Sequence, residues 1–243
     1  EEAGYIGEKF NHFLPNALGI KPLIEYLVSN PDTLHISMVV FTIVEAIVGL
    51  FLILGLFTRL MSIGVVLLAM GILLGSGWLG TTCLDEWQIG ILGVAGGFVL
   101  FLAGSGMYSV DHVLMKTEYS FTKKKWFNYL SSGVFEIKKT QILFGSLFIF
   151  GLALFTNQYF HGGVFGKLHN KSVTPKVEIS DAKVEKSKLT FQVYRVEGAD
   201  VYGSFLINIA VLDENKQVVK TIQQDELAQF SKDNIHNHYV SKV

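Results

Sequence analysis

Residues 36–57 read ISMVVFTIVEAIVGLFLILGLF, a stretch whose single formal charge is Glu45. An apolar run of about 18 residues or more is long enough to cross a bilayer as a helix. Working outward, 60–79 (LMSIGVVLLAMGILLGSGWL) and 89–108 (IGILGVAGGFVLFLAGSGMY) have the same character. A fourth run, 141–160 (QILFGSLFIFGLALFTNQYF), follows a lysine cluster and ends on aromatics. One such run alone could be a buried helix of a soluble protein. Four of them in 243 residues predict a mainly α membrane helical bundle.

Composition agrees. Half the chain is hydrophobic and 17% is charged, against about 25% charged in ordinary globular domains, and mean hydropathy is +0.39. A net charge of −1 without clustered basic and aromatic residues argues against nucleic acid as a partner. Cys83 is the only cysteine, which excludes an internal disulfide framework and any multi-cysteine metal or iron–sulfur site. No metal site is expected. The start, EEAGYIGEKFNHFLPNALGIK, lacks the basic-then-apolar order of a signal peptide.

Between Ile36 and Met115 the formal charges are Glu45, Arg59, Asp85, Glu86 and Asp111. The stretch between the third and fourth runs instead carries Lys116, Lys123, Lys124, Lys125, Lys138 and Lys139. Lys and Arg favour the cytoplasmic side, so this stretch is expected in the cytoplasm, with Arg59 on the same side. By alternation the GTTCLDEW turn (80–87), the N-terminal segment and everything after about His161 lie outside. The protein is thus expected as a multi-pass protein of the cell (inner) membrane.

After Lys167 the pattern changes. Residues 176–183, 188–196, 203–212 and 216–222 alternate apolar and polar, the period of half-buried strands, with DENKQ (213–217) as a turn. They predict a small all-β, sandwich-like extracytoplasmic domain, followed from 223 by a peripheral helix and a tail. The expected organisation is an outer N-terminal loop (1–35), a membrane bundle (36–115), a cytoplasmic basic linker (116–140), the fourth span (141–160) and the β domain (161–243).

Four features carry candidate chemistry. GWLGTTCLDEWQ (77–88) places Cys83, Asp85, Glu86, Trp78 and Trp87 between two uncharged runs. A thiolate favoured by a cation or a helix N-terminus is a nucleophile; otherwise Cys83 is an inert thiol, the acids cap a helix and the tryptophans anchor at the interface. Glu45 sits at membrane depth, where a carboxylate normally faces a partner, a cavity or a proton path, so it is expected to face the protein interior. His112, in GSGMYSVDH (104–112), titrates near neutrality and suits quinol protons; the alternative is a helix cap with a polar turn. HGGVFGKLHN (161–170) and YRVEGADVYGSF (194–205) offer Lys167, His169 and Arg195 beside glycines, a cradle for a sulfur oxyanion or ordinary turns. No dinucleotide glycine motif, phosphate loop, haem-attachment motif or serine triad is visible, so no flavin, nucleotide or haem site is expected.

These residues carry a resemblance. GWLGTTCLDEWQ with AGSGMYSVDH (103–112) is similar to the DoxD subunit of thiosulfate:quinone oxidoreductase, within the wider DoxX-like membrane family. GYIGEKFNHFLPNALG (4–19) resembles that subunit's outer loop, and the chain from about 141 onward, including GGVFGKLHN and LTFQVYRVEGADVYGSF (189–205), resembles the partner subunit DoxA. The chain therefore looks like a DoxD–DoxA fusion over nearly its whole length. The resemblance implies a further membrane helix ahead of the GYIG loop. It also implies membrane-bound oxidation of thiosulfate to tetrathionate, with a membrane quinone as the electron-accepting substrate.

On that footing Cys83, Asp85 and Glu86 are the candidate catalytic group, and Lys9, His12, Lys167, His169 and Arg195 the candidate anion ligands. Glu45, Trp78, Trp87 and His112 are the candidates for quinone and protons. Two rival functions stand beside the enzyme: a binding or assembly subunit, and a transporter of small sulfur anions. The transporter is disfavoured by the lack of paired broken-helix repeats. The bilayer is the expected surroundings, with room for a homo-oligomer.

Overall fold

The computed structural model describes residues 6–80, 85–171, 176–186, 188–197 and 207–236. Two short helices, α1 (Ile6–Phe13) and α2 (Lys21–Ser29), precede the long helices α3 (Pro31–Leu54), α4 (Thr58–Ser76) and α5 (Asp85–Ala103). Short α6 (Val110–Lys116) and α7 (Lys125–Leu130) lead to α8 (Lys139–His161). Four helices, Pro31–Leu54, Thr58–Ser76, Glu86–Ala103 and Lys139–His161, are long and apolar enough to cross a membrane. This is a membrane protein.

Each boundary has a local cause. Pro31 opens α3 in the first turn, where its missing N–H is no loss. Gly55, in the left-handed conformation at φ 62°, ends it. The third span begins at Asp85 rather than 89 and ends at Ala103 rather than 108, because Gly104 leaves the helix at φ +67°. The segment expected as an outer loop is helical from Ile6. Its apolar residues Leu14, Ala17, Ile24 and Val28 form a small core with Phe10, Phe13 and Ile20.

Glycines set the bundle's packing. A Cβ on Gly90 would stand 2.8 Å from Leu73 Cβ, one on Gly93 2.6 Å from Ala69 Cβ, and one on Gly97 2.6 Å from Val66 Cγ2. These three positions of α5 form one stripe that lets its backbone lie against α4. Small residues serve this purpose in membrane bundles, where packing rather than water drives association. Gly64 of α4 does the same beneath Val48 of α3, and Gly145 of α8 beneath Phe98 of α5. Gly93→Val is expected to destabilise by about 1–3 kcal/mol through overpacking, read as a lower melting temperature in detergent. Gly96, whose added Cβ would meet nothing within 4 Å, supplies the control: Gly96→Ala should leave melting unchanged. Equal effects of the two would refute this packing.

The C-terminal part holds two antiparallel hairpins, β1 (Lys176–Glu185) with β2 (Lys188–Glu197) and β3 (Asn208–Leu212) with β4 (Val218–Gln223). Among the described residues they are separate two-stranded sheets. The turn expected at 213–217 is built by Asp213, whose carboxylate accepts from the Asn215 and Gln217 N–H groups. Short α9 (Gln224–Ala228) follows. β2 rests against the 3-10 turn Leu14–Asn16, which seats this hairpin beside α1.

Candidate functional site

The bundle has two polar ends. At the first, the C-terminus of α4 runs into Trp78, which is completely buried; its indole N–H donates to the Phe13 carbonyl at 3.1 Å. Trp78, Leu79 and Phe160 form a buried cluster that also packs Phe13, Leu18 and Trp87. The Trp87 N–H donates to the Thr156 hydroxyl at 2.9 Å, tying α5 to α8. Leu18 N–H donates to the Leu74 carbonyl at 2.7 Å, tying the N-terminal segment to α4.

α8 is fastened here by its last residue. His161, fully buried, places Nε2 2.8 Å from the Gly77 carbonyl. After Gly162 the chain folds back, and His169 N–H donates to the His161 carbonyl at 2.9 Å. Not every polar atom at this end is satisfied. His161 Nδ1, both amide atoms of Asn11 and Nδ2 of Asn16 are buried without a hydrogen-bond partner. A buried polar group left unpaired costs about 1–3 kcal/mol, so these atoms weaken this end of the fold.

Of the anion candidates, Lys9 lies on α1, while Lys167 and His169 lie in the loop after α8; all three are exposed. His12 is half-buried and already engaged within the protein. Arg195 sits on β2 opposite Val177. α1, the loop after α8 and β2 thus share the Trp78 end. Asp85 and Glu86 belong to the first turn of α5 rather than to a free loop, where the helix N-terminus favours negative charge. Cys83 lies outside the described residues.

The four quinone candidates do not form one site. Trp78 and Trp87 stand together, and full burial makes Trp78 a core residue rather than an interface anchor. Glu45, expected to face the interior, meets no covering element among the described residues. It is exposed on α3, and its 14-residue separation from Pro31 amounts to roughly 21 Å of helix axis. His112 lies at the opposite end of the bundle, exposed on α6, where its backbone N–H donates to the Ser109 cap. Arg59 and Ser76, which mark the two ends, are separated by about 26 Å of α4. For the 104–112 segment the cap-and-turn reading describes the geometry.

That opposite end is held by two charges that sequence reading left without a role. Asp111, fully buried, accepts from Phe57 N–H at 2.8 Å, from Thr58 N–H and hydroxyl at 3.1 Å each, and from the Ser132 hydroxyl at 3.0 Å. It caps α4 from a distant helix and holds Phe57 in the left-handed region at φ 48°. Arg59, also buried, donates through Nε to the Phe101 carbonyl at 3.2 Å, and its Nη1 lies 2.8 Å from the carbonyls of Asn128, Ser131 and Gly133. Its guanidinium stacks 5.2 Å from the Phe135 ring centroid. Saturated in this way, both groups are structural.

The lysine-rich stretch lies at this same Arg59 end. Lys123 donates to Glu118 at 2.9 Å, a hydrogen bond that, with the ammonium's charge, holds the Glu118 carboxyl below its ordinary range. Both side chains are well exposed, so the pair adds little stability. A cavity of about 220 Å³ between α5 and α8, lined by Phe98, Phe101, Phe135 and Ile142 among others, also opens here. It is smaller than the roughly 300–1,000 Å³ usual for small-molecule sites.

Comparison with known proteins agrees with the two-part reading. No solved structure matches the chain. The family described as TQO small subunit DoxD matches residues 1–140, and that described as TQO small subunit DoxA matches residues 160–243. The first match covers more than half of the chain, and the second begins after residues 141–159, which neither match includes. The protein belongs to the DoxD family of thiosulfate:quinone oxidoreductase small subunits, carrying a DoxA segment fused behind it.

Proposed function

We propose that this chain oxidises thiosulfate to tetrathionate at the Trp78 end, facing outward from the cell (inner) membrane, and passes the electrons to a membrane quinone. The observation that carries the reading is the presence of both small-subunit families in one chain. The chemistry of the two ends supports it. Thiosulfate is a dianion that cannot enter lipid, and the Trp78 end gathers Lys9, Lys167 and the strand bearing Arg195. The Arg59 end carries the lysine-rich stretch, which favours the cytoplasm.

The covalent route proposed for Cys83 balances. The thiolate and the sulfane sulfur of one thiosulfate join as an S–S bond, releasing one electron pair. The quinone takes that pair with two protons and becomes quinol. A second thiosulfate then attacks the same sulfane sulfur, expels the Cys83 thiolate and leaves as tetrathionate. Asp85 and Glu86 oppose an approaching dianion, and Lys9, Lys167 and Arg195 offset them.

The description of both families as small subunits favours a second reading, in which the chain assembles with a further subunit that completes the enzyme. Purified protein given thiosulfate and a soluble quinone analogue separates the readings. Quinone reduction supports the enzyme. Folded protein without turnover supports the assembly role, and thiosulfate flux into vesicles without quinone reduction supports a transporter.

A further inference from the structure

The hydrogen bond that fastens α8 leaves one atom of His161 unused. The Gly77 carbonyl can only accept, so Nε2, 2.8 Å away, carries a proton. In the neutral imidazole Nδ1 is then a bare acceptor, and in the imidazolium it is a second donor. That atom is buried without a partner, in a side chain with no solvent exposure. His161 directly follows Phe160, whose ring belongs to the cluster of Trp78 and Leu79 that also packs Trp87. Asn11, two residues before the Phe13 carbonyl that holds Trp78, likewise has its whole amide buried and unpaired.

The surroundings select the chemistry of a ligand. Among the described residues the ionisable groups that act on His161 are Glu86 and His169, and no lysine or arginine acts on it. A sulfur dianion would lose its hydration in an aromatic cluster beside a carboxylate, with nothing to compensate it. A neutral ring bearing a carbonyl or a hydroxyl fits. A quinol hydroxyl donates to neutral Nδ1, and a quinone carbonyl accepts from protonated Nδ1. The proton on this atom therefore follows the redox state of the ring.

We propose that His161 Nδ1 binds the quinone head and supplies one of the two protons of its reduction. The proposal rests on the quinone-reductase reading and replaces Glu45 and His112 as proton groups. As the ring takes two electrons from the sulfur substrate, one carbonyl oxygen takes the Nδ1 proton and becomes a hydroxyl, leaving neutral imidazole. Water at the Trp78 end supplies the second proton and recharges His161.

The test uses the full chain with Trp126→Phe, which removes the tryptophan at the Arg59 end, so that emission reports Trp78 and Trp87. Titrating a soluble quinone analogue without thiosulfate is expected to quench that emission. His161→Gln keeps an N–H for Gly77 but removes Nδ1, and should weaken analogue binding by at least about tenfold, or roughly 1.4 kcal/mol. If that variant does not fold, the parent decides alone. Raising pH through the imidazole range should weaken binding of the oxidised analogue and strengthen binding of the reduced one. Equal affinity and an unchanged pH profile of quinone reduction in His161→Gln, or no opposite pH response in the parent, overturns the proposal. If the parent binds the analogue but never oxidises thiosulfate, the enzyme reading fails and this site stands. If the parent turns over and His161→Gln matches it in quinone KM, this site fails and the reading stands.

Discussion

Asp111→Ala is expected to leave little folded protein, and what survives should melt well below the parent. The carboxylate meets four donors, from Phe57, Thr58 and Ser132, in a site closed to water. Alanine strands all four and removes the cap of α4, a combined loss on the order of 3–5 kcal/mol. Asp111→Asn keeps the shape and one good acceptor but turns an N–H₂ toward a donor, so its loss should be intermediate. Because Asp111 lies a helix length from Trp78, thiosulfate turnover per folded molecule of the asparagine variant should stay near that of the parent. Melting in detergent and elution profile measure the first expectation. A parent-like Asp111→Ala would show that water or rearrangement replaces the carboxylate and that this end is not a structural latch.

Cys83→Ser should abolish thiosulfate-dependent quinone reduction, by on the order of a thousandfold or more, the scale on which loss of a covalent nucleophile acts. A serine hydroxyl is not ionised at neutral pH and cannot form the S–S adduct. The two acids beside Cys83 weigh less against a thiolate than their number suggests, because α5 starts at Asp85 and its free N–H groups offset negative charge there. Wild type given a single equivalent each of thiosulfate and quinone, so that no second anion resolves the adduct, should gain the mass of one thiosulfate at Cys83. The variant, with an unchanged elution profile, should gain none. Full activity in Cys83→Ser would remove the covalent route and leave direct electron transfer from anions held by the cations.

The spans were legible because four long apolar runs in one chain disfavour burial in a soluble core, and their cores fall where the runs fall. Their ends were less so. α3 begins at Pro31, five residues before the apolar run, since a proline and capping geometry set a helix start while hydropathy does not. α1 and α2 read as loop because both stretches are short, broken by Gly7 and Pro22 and far below span length; they are helices because Leu14, Ile24 and Val28 pack with one another and with Phe10, Phe13 and Ile20. Tryptophan and carboxylate chemistry at 77–88 was visible from side-chain type alone. Arg59, Asp111 and His161 were not, because their partners, backbone groups and two hydroxyls, lie 21 to 84 residues away, which no local pattern encodes. The one available signal for His161 was a histidine closing an apolar run immediately before two glycines, at the start of the DoxA match.

The central claim is that thiosulfate is oxidised at the Trp78 end, outside, with electrons passed to quinone in the bilayer. Sealed vesicles of both orientations test it most directly, because thiosulfate does not cross lipid. With thiosulfate added only to the bulk solution, right-side-out vesicles should reduce their membrane quinone at least about tenfold faster than inverted ones, whose lumenal sites a dianion cannot reach through lipid. Reduction confined to inverted vesicles would place the anion site at the cytoplasmic face and contradict the account.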